Sequence, residues 1–327
     1  SSQEPLGISM ADLFEVPSCD KCRNPAIHHQ IYSGRMMCGS HLADSVRKKV
    51  SKALREQLVI PRDKNITILV AISGGKDSAV LLERIHENLG KRRDVTIVGG
   101  CVDEGIEGYR PPSLECAREL CESLGVRFET VSYPELGFKE MDDVVQKIAD
   151  SKDNKTPCSY CGVFRRQGIN HLAKRVGADV IALGHNLDDM AQTIMMNMQN
   201  GDLERTLRLA PHTSTPLEGL APRIVPLRWV PEQEIHLYAL HKNLPIHHEE
   251  CPHGEGALRF RHRETVAMME ADVPGTRHGL LRMADEVKKL HTKAGGKSKS
   301  SPINCPECGQ MCSGTICKAC EMKRIME

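Results

Sequence analysis

Three cysteines in the middle of the chain have the spacing of ligands to a metal or a cluster. Cys158 and Cys161 are separated by two residues in PCSYCG, and Cys251 follows much later in EECP. Two close thiols and one remote thiol suit a group held between two sides of a cleft. A 4Fe–4S cluster on three cysteines leaves one iron open, whereas zinc needs a fourth ligand such as His253 or water. A redox pair of Cys158 and Cys161 is the third alternative that the residues leave open.

A glycine turn, SGGKDS, begins at Ser73 between an apolar run and a helical pattern. The adjacent Gly74 and Gly75 let backbone N–H groups close around an anion, and the following helix N-terminus adds its positive dipole. Lys76 supplies charge, and the serine hydroxyls of the segment supply hydrogen-bond donors. Asp77 suits either a Mg²⁺ ion beside a phosphate or a helix cap. The spacing differs from that of a Walker A loop, so the segment predicts a phosphate site of another kind.

Two further groups of thiol and imidazole ligands lie toward the two ends of the chain. One has the pattern Cys-x₂-Cys…Cys-x₂-His and the other has four cysteines, and both are typical of closed, structural zinc sites. Cys312 is an extra cysteine that is either no ligand or a replacement for Cys308. The first group consists of Cys19, Cys22, Cys38 and His41, and the second of Cys305, Cys308, Cys317 and Cys320.

Short β-branched runs alternate with helical patterns between these groups. This alternation predicts a doubly wound α/β fold, with a parallel sheet covered by helices on both faces. Ligands in such folds bind at the carboxyl ends of the strands, and Ser73, Asp103 and Gly184 each follow a strand, so we expect them to line one crevice. We predict strands over 66–72, 95–102, 126–131 and 179–183, and helices over 78–88, 113–124, 161–176 and 187–198.

Composition narrows the class of protein. The net charge of +1 gives no overall attraction to nucleic acid, and 3% aromatic residues disfavour binding through rows of stacked bases. No apolar run approaches the length of a membrane span. The first residues lack the pattern of a signal peptide, so we expect a cytoplasmic protein in which the 14 cysteines serve as metal ligands or catalytic thiols.

SGGKDS, placed between a strand and a helix, resembles the pyrophosphate loop of the PP-loop ATP-pyrophosphatase superfamily. The N-terminal ligand group, SGGKDS, PCSYCG, GHNLDD, EECP and the terminal four-cysteine group also follow one another as in the TtuA/NcsA family of tRNA 2-thiouridine synthetases. The resemblance extends from Cys19 to Cys320. It implies an adenine nucleotide alpha-hydrolase-like fold and an ATP-dependent tRNA uridine 2-sulfurtransferase. Such an enzyme adenylates uridine O2, replaces that oxygen with sulfur, and releases AMP and pyrophosphate.

The resemblance also implies roles for individual residues. Cys158, Cys161 and Cys251 match the ligands of a three-cysteine 4Fe–4S cluster, and with Lys76 and Asp77 they form the catalytic set. Arg165 stands where a basic residue lies near the nucleotide. The candidate ATP-binding residues are Ala71, Ser73, Gly74, Gly75, Lys76, Asp77, Ser78, Asp103, Arg165, Gly184 and Asp189.

The implied cofactors are ATP, Mg²⁺, the 4Fe–4S cluster and Zn²⁺ at two sites. The implied partners are tRNA, a sulfur donor that is free sulfide or a ubiquitin-like thiocarboxylate protein, and a second copy of the chain in a homodimer, with no membrane. Sulfur is held either on the open iron or as a cysteine persulfide, and three ligands without a fourth favour the cluster. The basic segments 46–57 and 259–263, with the lysines of the 291–303 linker, are the candidate RNA surface.

We expect five regions along the chain. A disordered tail or expression remnant over 1–18 precedes an N-terminal zinc module with a basic helix over 19–60. The PP-loop catalytic domain covers 61–290, a linker covers 291–303, and a zinc ribbon covers 304–327. Two other functions remain open: a PP-loop amidotransferase or tRNA ligase with structural zinc, and a non-catalytic zinc-ribbon RNA-binding protein. Neither needs three cysteines facing the phosphate loop.

Overall fold

The computed structural model describes residues 16–150, 155–212, 220–254, 258–295, 303–312 and 314–326, without the side chains of 258–260. Most of the predicted 1–18 tail and most of the predicted 291–303 linker lie outside the described residues. The boundaries of the five predicted regions therefore stay predictions. Within the described part of the chain, no helix combines the length and apolar character needed to cross a membrane.

The N-terminal region is a short hairpin followed by a long amphipathic helix. Strand β1 (His28–Gln30) pairs antiparallel with β2 (Arg35–Met37), and helix α1 covers Gly39–Gln57. Val46, Val50 and other apolar residues of α1 are buried in the main core of the protein. The predicted basic helix is therefore correct as a helix, and one of its faces packs on the α/β domain rather than facing solvent.

A five-stranded parallel sheet forms the centre of the protein, in the order β5-β4-β3-β6-β7. The order reverses between β3 and β6, which is the point where doubly wound sheets bind ligands. Alternate residues of β3 face opposite sides: Ile68 and Val70 lie in one apolar cluster and Leu69 in the other. The strands are β3 (Ile66–Ala71), β4 (Val95–Asp103), β5 (Arg127–Ser132), β6 (Val180–Ala182) and β7 (Arg223–Ile224).

Helices cover both faces of this sheet, as predicted. One apolar cluster joins β3 to residues of α1, α2, α3 and α8, and the other joins it to residues of α4, α5 and α11. A smaller cluster lies between α6 and α10. The helices that follow α1 are α2 (Lys76–Leu89), α3 (Arg110–Ser123), α4 (Met141–Asp150), α5 (Pro157–Val176), α6 (Leu187–Gln199), α7 (Leu203–Leu207), α8 (Glu232–His241), α9 (Leu258–Asp272), α10 (Thr276–Lys293) and α11 (Lys318–Met326).

The eight predicted elements are all present, with two helix starts that need correction. Helix α5 begins at Pro157 rather than at residue 161, and α3 begins at Arg110 rather than at residue 113. In both cases proline stands at the first or second helical position, where its missing N–H costs nothing and its fixed φ favours the helix. The earlier start of α5 places both Cys158 and Cys161 among its first five residues.

The C-terminal region packs on the outer face of α4 and α5. Strand β8 (Ile303–Asn304) pairs with β9 (Met311–Cys312), and α11 follows. Cys305, Cys317 and Cys320 lie in the same apolar cluster as Phe164 of α5. Gln167 of α5 donates a hydrogen bond to the Cys317 sulfur over 3.7 Å. The four-cysteine module is therefore in direct contact with the helix that carries Cys158 and Cys161.

Candidate active site

The phosphate loop connects the carboxyl end of β3 to the start of α2. Gly74 has a φ of +86°, and a Cβ at this position would lie 1.9 Å from the carbonyl oxygen of Ser113. Both facts restrict the position to glycine. Gly75 is the N-cap of α2 and provides no side chain to cap it. The N-terminus of α2 therefore offers its backbone N–H groups and its positive dipole to an anion.

Two serine hydroxyls hold the loop in this shape. The Ser78 hydroxyl accepts a hydrogen bond from the Ser73 N–H over 3.0 Å and donates one to the Gly75 carbonyl over 3.0 Å. The two hydroxyl oxygens are 3.2 Å apart. Arg110 donates from Nη1 to the Ser73 carbonyl over 3.0 Å. The serines thus brace the loop itself, and their predicted contacts with ATP stay predictions.

Lys76 and Asp77 form a charged group at the start of α2. Lys76 Nζ lies 2.8 Å from Glu232 Oε1 and 3.3 Å from Asp77 Oδ2, and Asn186 donates to Asp77 Oδ1 over 2.8 Å. Burial acts to lower the pKa of Lys76, but the carboxylates of Asp77 and Glu232 outweigh it and raise that pKa. Burial raises the pKa of Asp77, against the opposing effects of Lys76 and Asn186. Lys76 is therefore held as a cation beside the loop.

The segment GHNLDD forms the other side of the phosphate loop. A Cβ on Gly184 would lie 3.4 Å from the backbone nitrogen of Ser78, so the two loops are in close contact. Asn186 caps α6 by accepting from the Asp189 N–H over 2.9 Å, and Asp189 Oδ2 accepts from the Asn186 N–H over 3.2 Å. This capping box orients Asn186 toward Asp77.

The three central cysteines surround one end of the same region. The Cys158 sulfur lies 3.8 Å from the His253 carbonyl oxygen, two residues after Cys251. Tyr133 donates from its hydroxyl to the Cys161 carbonyl over 3.1 Å, and the hydroxyl is 3.6 Å from the Cys161 sulfur. The loop of Cys251 therefore packs against the N-terminal end of α5, which carries Cys158 and Cys161.

The thiols are close enough to affect one another electrostatically. Burial raises the pKa of Cys161, and Cys251 adds to this effect while the Arg165 guanidinium opposes it. Burial also raises the pKa of Cys251, and Cys158 adds to it while Arg165 opposes it. Arg165 is thus the cation next to the cysteines. The structure places it on the cysteine side, and its predicted role in ATP binding stays a prediction.

The geometry separates the alternatives for this trio. Among the described residues, two groups of three or more ligand atoms lie within 4.8 Å of one another, and the central cysteines are not one of them. A single zinc ion needs its sulfurs about that close, whereas a cluster holds its thiolates further apart. The His253 ring is also engaged, since its Nε2 lies 2.6 Å from Asp142 Oδ1. The described residues therefore show no preformed site for a single zinc ion at this trio, and the predicted cluster ligation stays a prediction.

One cleft of ≈ 620 Å³ joins the phosphate loop to the cysteine region. Gly75, Lys76 and Asp77 lie on one side of it, and Cys251 lies on the other. The backbone N–H of His247 donates to the Gly74 carbonyl over 2.9 Å, which ties the two sides together. The remaining lining residues are Tyr109, Ser113, Glu232, Gln233, His236, Ile246, His247, His248, Glu249, Glu250, Gly254 and Arg263.

Of the eleven predicted ATP-binding residues, Gly75, Lys76 and Asp77 line this cleft and the other eight lie outside its lining. Ala71 is the last residue of β3, where it pairs with Gly100. Asp103 ends β4 and accepts a hydrogen bond from the Gly105 N–H over 3.0 Å. Ser73, Asp103 and Gly184 follow neighbouring strands, as predicted, and Ser73 and Gly184 are joined through the phosphate loop. Contacts of Ala71 and Asp103 with a nucleotide stay predictions.

The two groups whose ligand atoms all lie within 4.8 Å of one another are the predicted terminal ligand sets. Burial acts to raise the pKa of Cys19 and of Cys305, but backbone N–H groups outweigh it and bring each to about 6. Thiolates are the form that binds metal, so the loops favour metal ligation. Cys312 lies outside its group and donates to the Gly314 carbonyl over 3.1 Å, so the four-ligand set uses Cys308.

Sequence reasoning did not single out several residues that shape the site. Asn186 and Glu232 hold Asp77 and Lys76, and Arg110 holds the phosphate loop. The spacing of Asn186 and Asp189 is that of a capping box, which could have identified Asn186 as an N-cap. Glu104 and Arg110 follow β4 at the carboxyl edge of the sheet, where the rule that selected Asp103 also applies.

Comparison with known proteins agrees with this geometry. Residues 42–267, more than half of the chain, match the family model described as a PP-loop domain. The tRNA 2-thiolation protein NcsA of Haloferax volcanii is 37% identical over 320 residues, covering 94% of this chain and 99% of the relative. This chain belongs to the NcsA family of tRNA 2-thiolation proteins.

Other NcsA relatives extend the comparison. Cytoplasmic tRNA 2-thiolation protein 1 of Mus musculus is 33% identical, covering 94% of this chain and 72% of the relative. Among solved structures, the U34-tRNA thiolase NcsA from Methanococcus maripaludis with its [4Fe-4S] cluster aligns with a TM-score of 0.71. That alignment has 31% identity and covers 83% of this chain and 88% of the other. The predicted PP-loop fold is thereby confirmed.

Proposed function

We propose that this protein is a tRNA thiolase that replaces O2 of a uridine with sulfur at the expense of ATP. The products are 2-thiouridine, AMP and pyrophosphate. The observation that carries the proposal is the cleft that has Gly75, Lys76 and Asp77 on one side and Cys251 on the other. The NcsA relatives support the tRNA substrate, and the solved NcsA neighbour, named a U34-tRNA thiolase, supports the uridine at position 34.

The phosphate loop performs the first half of the reaction. Uridine O2 attacks the α-phosphorus of ATP, and pyrophosphate leaves into the N-terminus of α2, where Lys76 and the N–H groups stabilise its charge. Glu232 and Asn186 fix the side chains of Lys76 and Asp77 before ATP binds. Asp77 is the residue that would hold Mg²⁺ beside the phosphates. Adenylation gives C2 a good leaving group in the form of AMP.

The cysteine side performs the second half. A 4Fe–4S cluster, as named for the solved NcsA neighbour, is the group that Cys158, Cys161 and Cys251 would hold. When bound, such a cluster supplies an iron with an open position for sulfur near the reacting uridine. Arg165 and Tyr133 lie against Cys161 and fix the polar surroundings of the thiols. Sulfur replaces the adenylated oxygen at C2, and AMP departs.

The remaining assignments belong to the same proposal. The sulfur donor is free sulfide or a ubiquitin-like thiocarboxylate protein, and the two terminal ligand groups hold structural zinc. The proposal also includes a homodimer and a cytoplasmic location. The name of the mouse relative, cytoplasmic tRNA 2-thiolation protein 1, supports the location. Size-exclusion chromatography with light scattering tests the dimer directly.

Anaerobic reconstitution tests the proposed function. Purified protein is incubated with an unmodified tRNA transcript, Mg²⁺-ATP and sulfide. The nucleosides of the tRNA are then analysed by mass spectrometry, and AMP and pyrophosphate are quantified. We expect 2-thiouridine and AMP in equal amounts, and none with a transcript that carries cytidine at position 34. A ligase or amidotransferase would form AMP without 2-thiouridine. A non-catalytic RNA-binding protein would form neither product.

A further inference from the structure

A buried chain of charged groups connects the phosphate loop to the cysteine helix. Arg110 is 4% exposed and donates from Nη1 to the Ser73 carbonyl over 3.0 Å. Its Nε lies 2.8 Å from Oε2 of Glu104, a residue that is itself 3% exposed. Glu104 follows Asp103, the last residue of β4. The first half of the chain therefore runs from the loop backbone, through Arg110, to a buried carboxylate.

The other oxygen of Glu104 faces the cysteines. Oε1 lies 3.6 Å from Nε of Arg165, which is one helical turn beyond Cys161 on α5. The Arg165 side chain is half-exposed, so one end of this ion pair is buried and the other is open to solvent. Its charge acts on Cys161 and Cys251, and on Tyr109 at the edge of the cleft. Glu104 is thus the carboxylate between the two arginines.

A carboxylate between two guanidinium groups has a definite mechanical consequence. Each arginine gains an ion pair with Glu104, in which Arg110 Nε and Glu104 Oε2 lie close without hydrogen-bond geometry, and the carboxylate offsets the repulsion between the two cations. Arg110 also makes four hydrogen bonds that fix it to β4, Ser113 and the phosphate loop. Arg165 is half-exposed, and its contact with Glu104 constrains its side chain. Loss of the Glu104 charge therefore affects the position of Arg165 more than that of Arg110.

We infer that Glu104 is a positioning residue that holds Arg165 at the cysteine side of the active site, in register with the phosphate loop. Neither Glu104 nor Arg165 is part of the cleft lining, so Glu104 acts on the site only through the position of Arg165, one helical turn from Cys161. The inference rests on the proposed function, because Arg165 would face the negative charge that develops as sulfur adds to C2 and AMP departs. The chain then links ATP activation and sulfur transfer within one rigid unit.

A double-mutant cycle tests this assignment. The variants are Glu104→Gln, Arg165→Ala and the double variant, with Glu107→Gln as the control because Glu107 is exposed in the same loop. We expect Glu104→Gln to lower the 2-thiouridine kcat about 10-fold and to lower the Tm, because it leaves the buried Arg110 without its carboxylate, while the KM for ATP and the iron content stay near wild type. In the Arg165→Ala background, Glu104→Gln should lower the kcat no further.

Several outcomes would overturn the inference. Wild-type activity in Glu104→Gln, or losses that multiply in the double variant, would show that Glu104 does not act through Arg165. A fall in iron content and Tm together would reduce Glu104 to a structural role. If Glu104→Gln does not fold, Glu104→Asp replaces it in the same cycle, and its retained charge should preserve more activity than neutral variants. Wild-type protein that makes no 2-thiouridine would instead refute the proposed function.

Discussion

At the scale of single residues, Lys76 is the cation that the phosphate loop presents to its ligand. We expect Lys76→Ala to lower the rate of AMP formation roughly 10²-fold, because the departing pyrophosphate loses its nearest positive charge. Fold and iron content should persist, since Glu232 keeps its contact with Arg263 at 3.2 Å. Pyrophosphate release in the presence of tRNA measures the effect, and Lys91→Ala, at an exposed lysine, is the control. Wild-type turnover would place ATP elsewhere.

Substitution of Gly74 tests whether ATP binding needs the shape of the phosphate loop, independently of the charge of the loop. Both Gly74 and Gly108 have positive φ, at +86° and +72°, but only a Cβ on Gly74 meets a neighbouring backbone atom. Gly74→Ala and Gly108→Ala should share the cost of the strained backbone, about 1 kcal/mol. We expect only Gly74→Ala to abolish ATP binding, measured by calorimetry. Equal ATP affinity in the two variants would show that the contact with Ser113 is not needed.

At the scale of elements, a buried carboxylate joins the N-terminal hairpin to α8. Glu234 is 0% exposed, and it accepts hydrogen bonds from Gln30 over 2.9 Å and from Tyr32 over 2.5 Å. Lys49 Nζ lies 2.8 Å from its other oxygen, and His28 is 3.8 Å away. Burial acts to raise the pKa of Glu234, but these partners outweigh it and lower the pKa from 4.5 to about 2.

This shift predicts a pH-dependent contribution to stability. A lowered pKa in the folded state stabilises the fold above the unfolded-state pKa of 4.5, and that stability is lost as the pH falls toward about 2. We expect Glu234→Gln to cost about 3 kcal/mol of unfolding free energy at pH 7, measured by urea denaturation. The gap to wild type should narrow between pH 4.5 and 2, and a constant gap would contradict the account. The exposed Glu286→Gln should show little gap.

The sequence predicts some elements and leaves others out for physical reasons. Strands β3 to β6 and helices α2, α3, α5 and α6 follow from apolar periodicity with clear turns between them. Helices α8, α9 and α10 were not predicted from the sequence. Their apolar patterns are weak, or they depend on packing against α1 and α6 rather than against the sheet. The ligand sets of the terminal modules depend on local spacing, and the structure brings both together.

At the scale of the whole molecule, the active site combines distant segments. SGGKDS and the cysteine motifs are recognisable in the sequence, because their chemistry depends on adjacent residues. Glu104, Glu232 and Asn186 are not, because each acts on a residue far away in the chain. Periodicity and spacing contain no record of such long-range pairs, which only the packed fold defines.

A group of three arginines near α5 is the surface best suited to the tRNA backbone. Partial desolvation and the like charge of Arg205 lower the pKa of Arg166, and burial and Arg166 lower that of Arg223 to about 10. The positive charges of Arg166, Arg205 and Arg223 repel one another, and a bound phosphate relieves this repulsion. We expect Arg166→Ala to weaken tRNA binding about 5-fold and to reduce the slope of log K against log salt by about 1.

Filter binding at several salt concentrations measures the effect of Arg166→Ala. Arg92→Ala is the control, because Arg92 is an exposed arginine before β4 that pairs with Asp94 at 2.6 Å. The control should keep wild-type affinity and salt dependence. Equal losses in the two variants would show that the contribution of Arg166 is only general charge.

The central claim is that Cys251 shares one cluster with Cys158 and Cys161. The most direct test is the iron content of the Cys251→Ala variant, purified without oxygen. Cys116→Ala, at a half-buried cysteine of α3, is the control. The account predicts that iron falls sharply in Cys251→Ala and 2-thiouridine disappears, while both zinc sites and the iron of the control are retained. Full iron content with full thiolation in Cys251→Ala would remove Cys251 from the site and contradict the account.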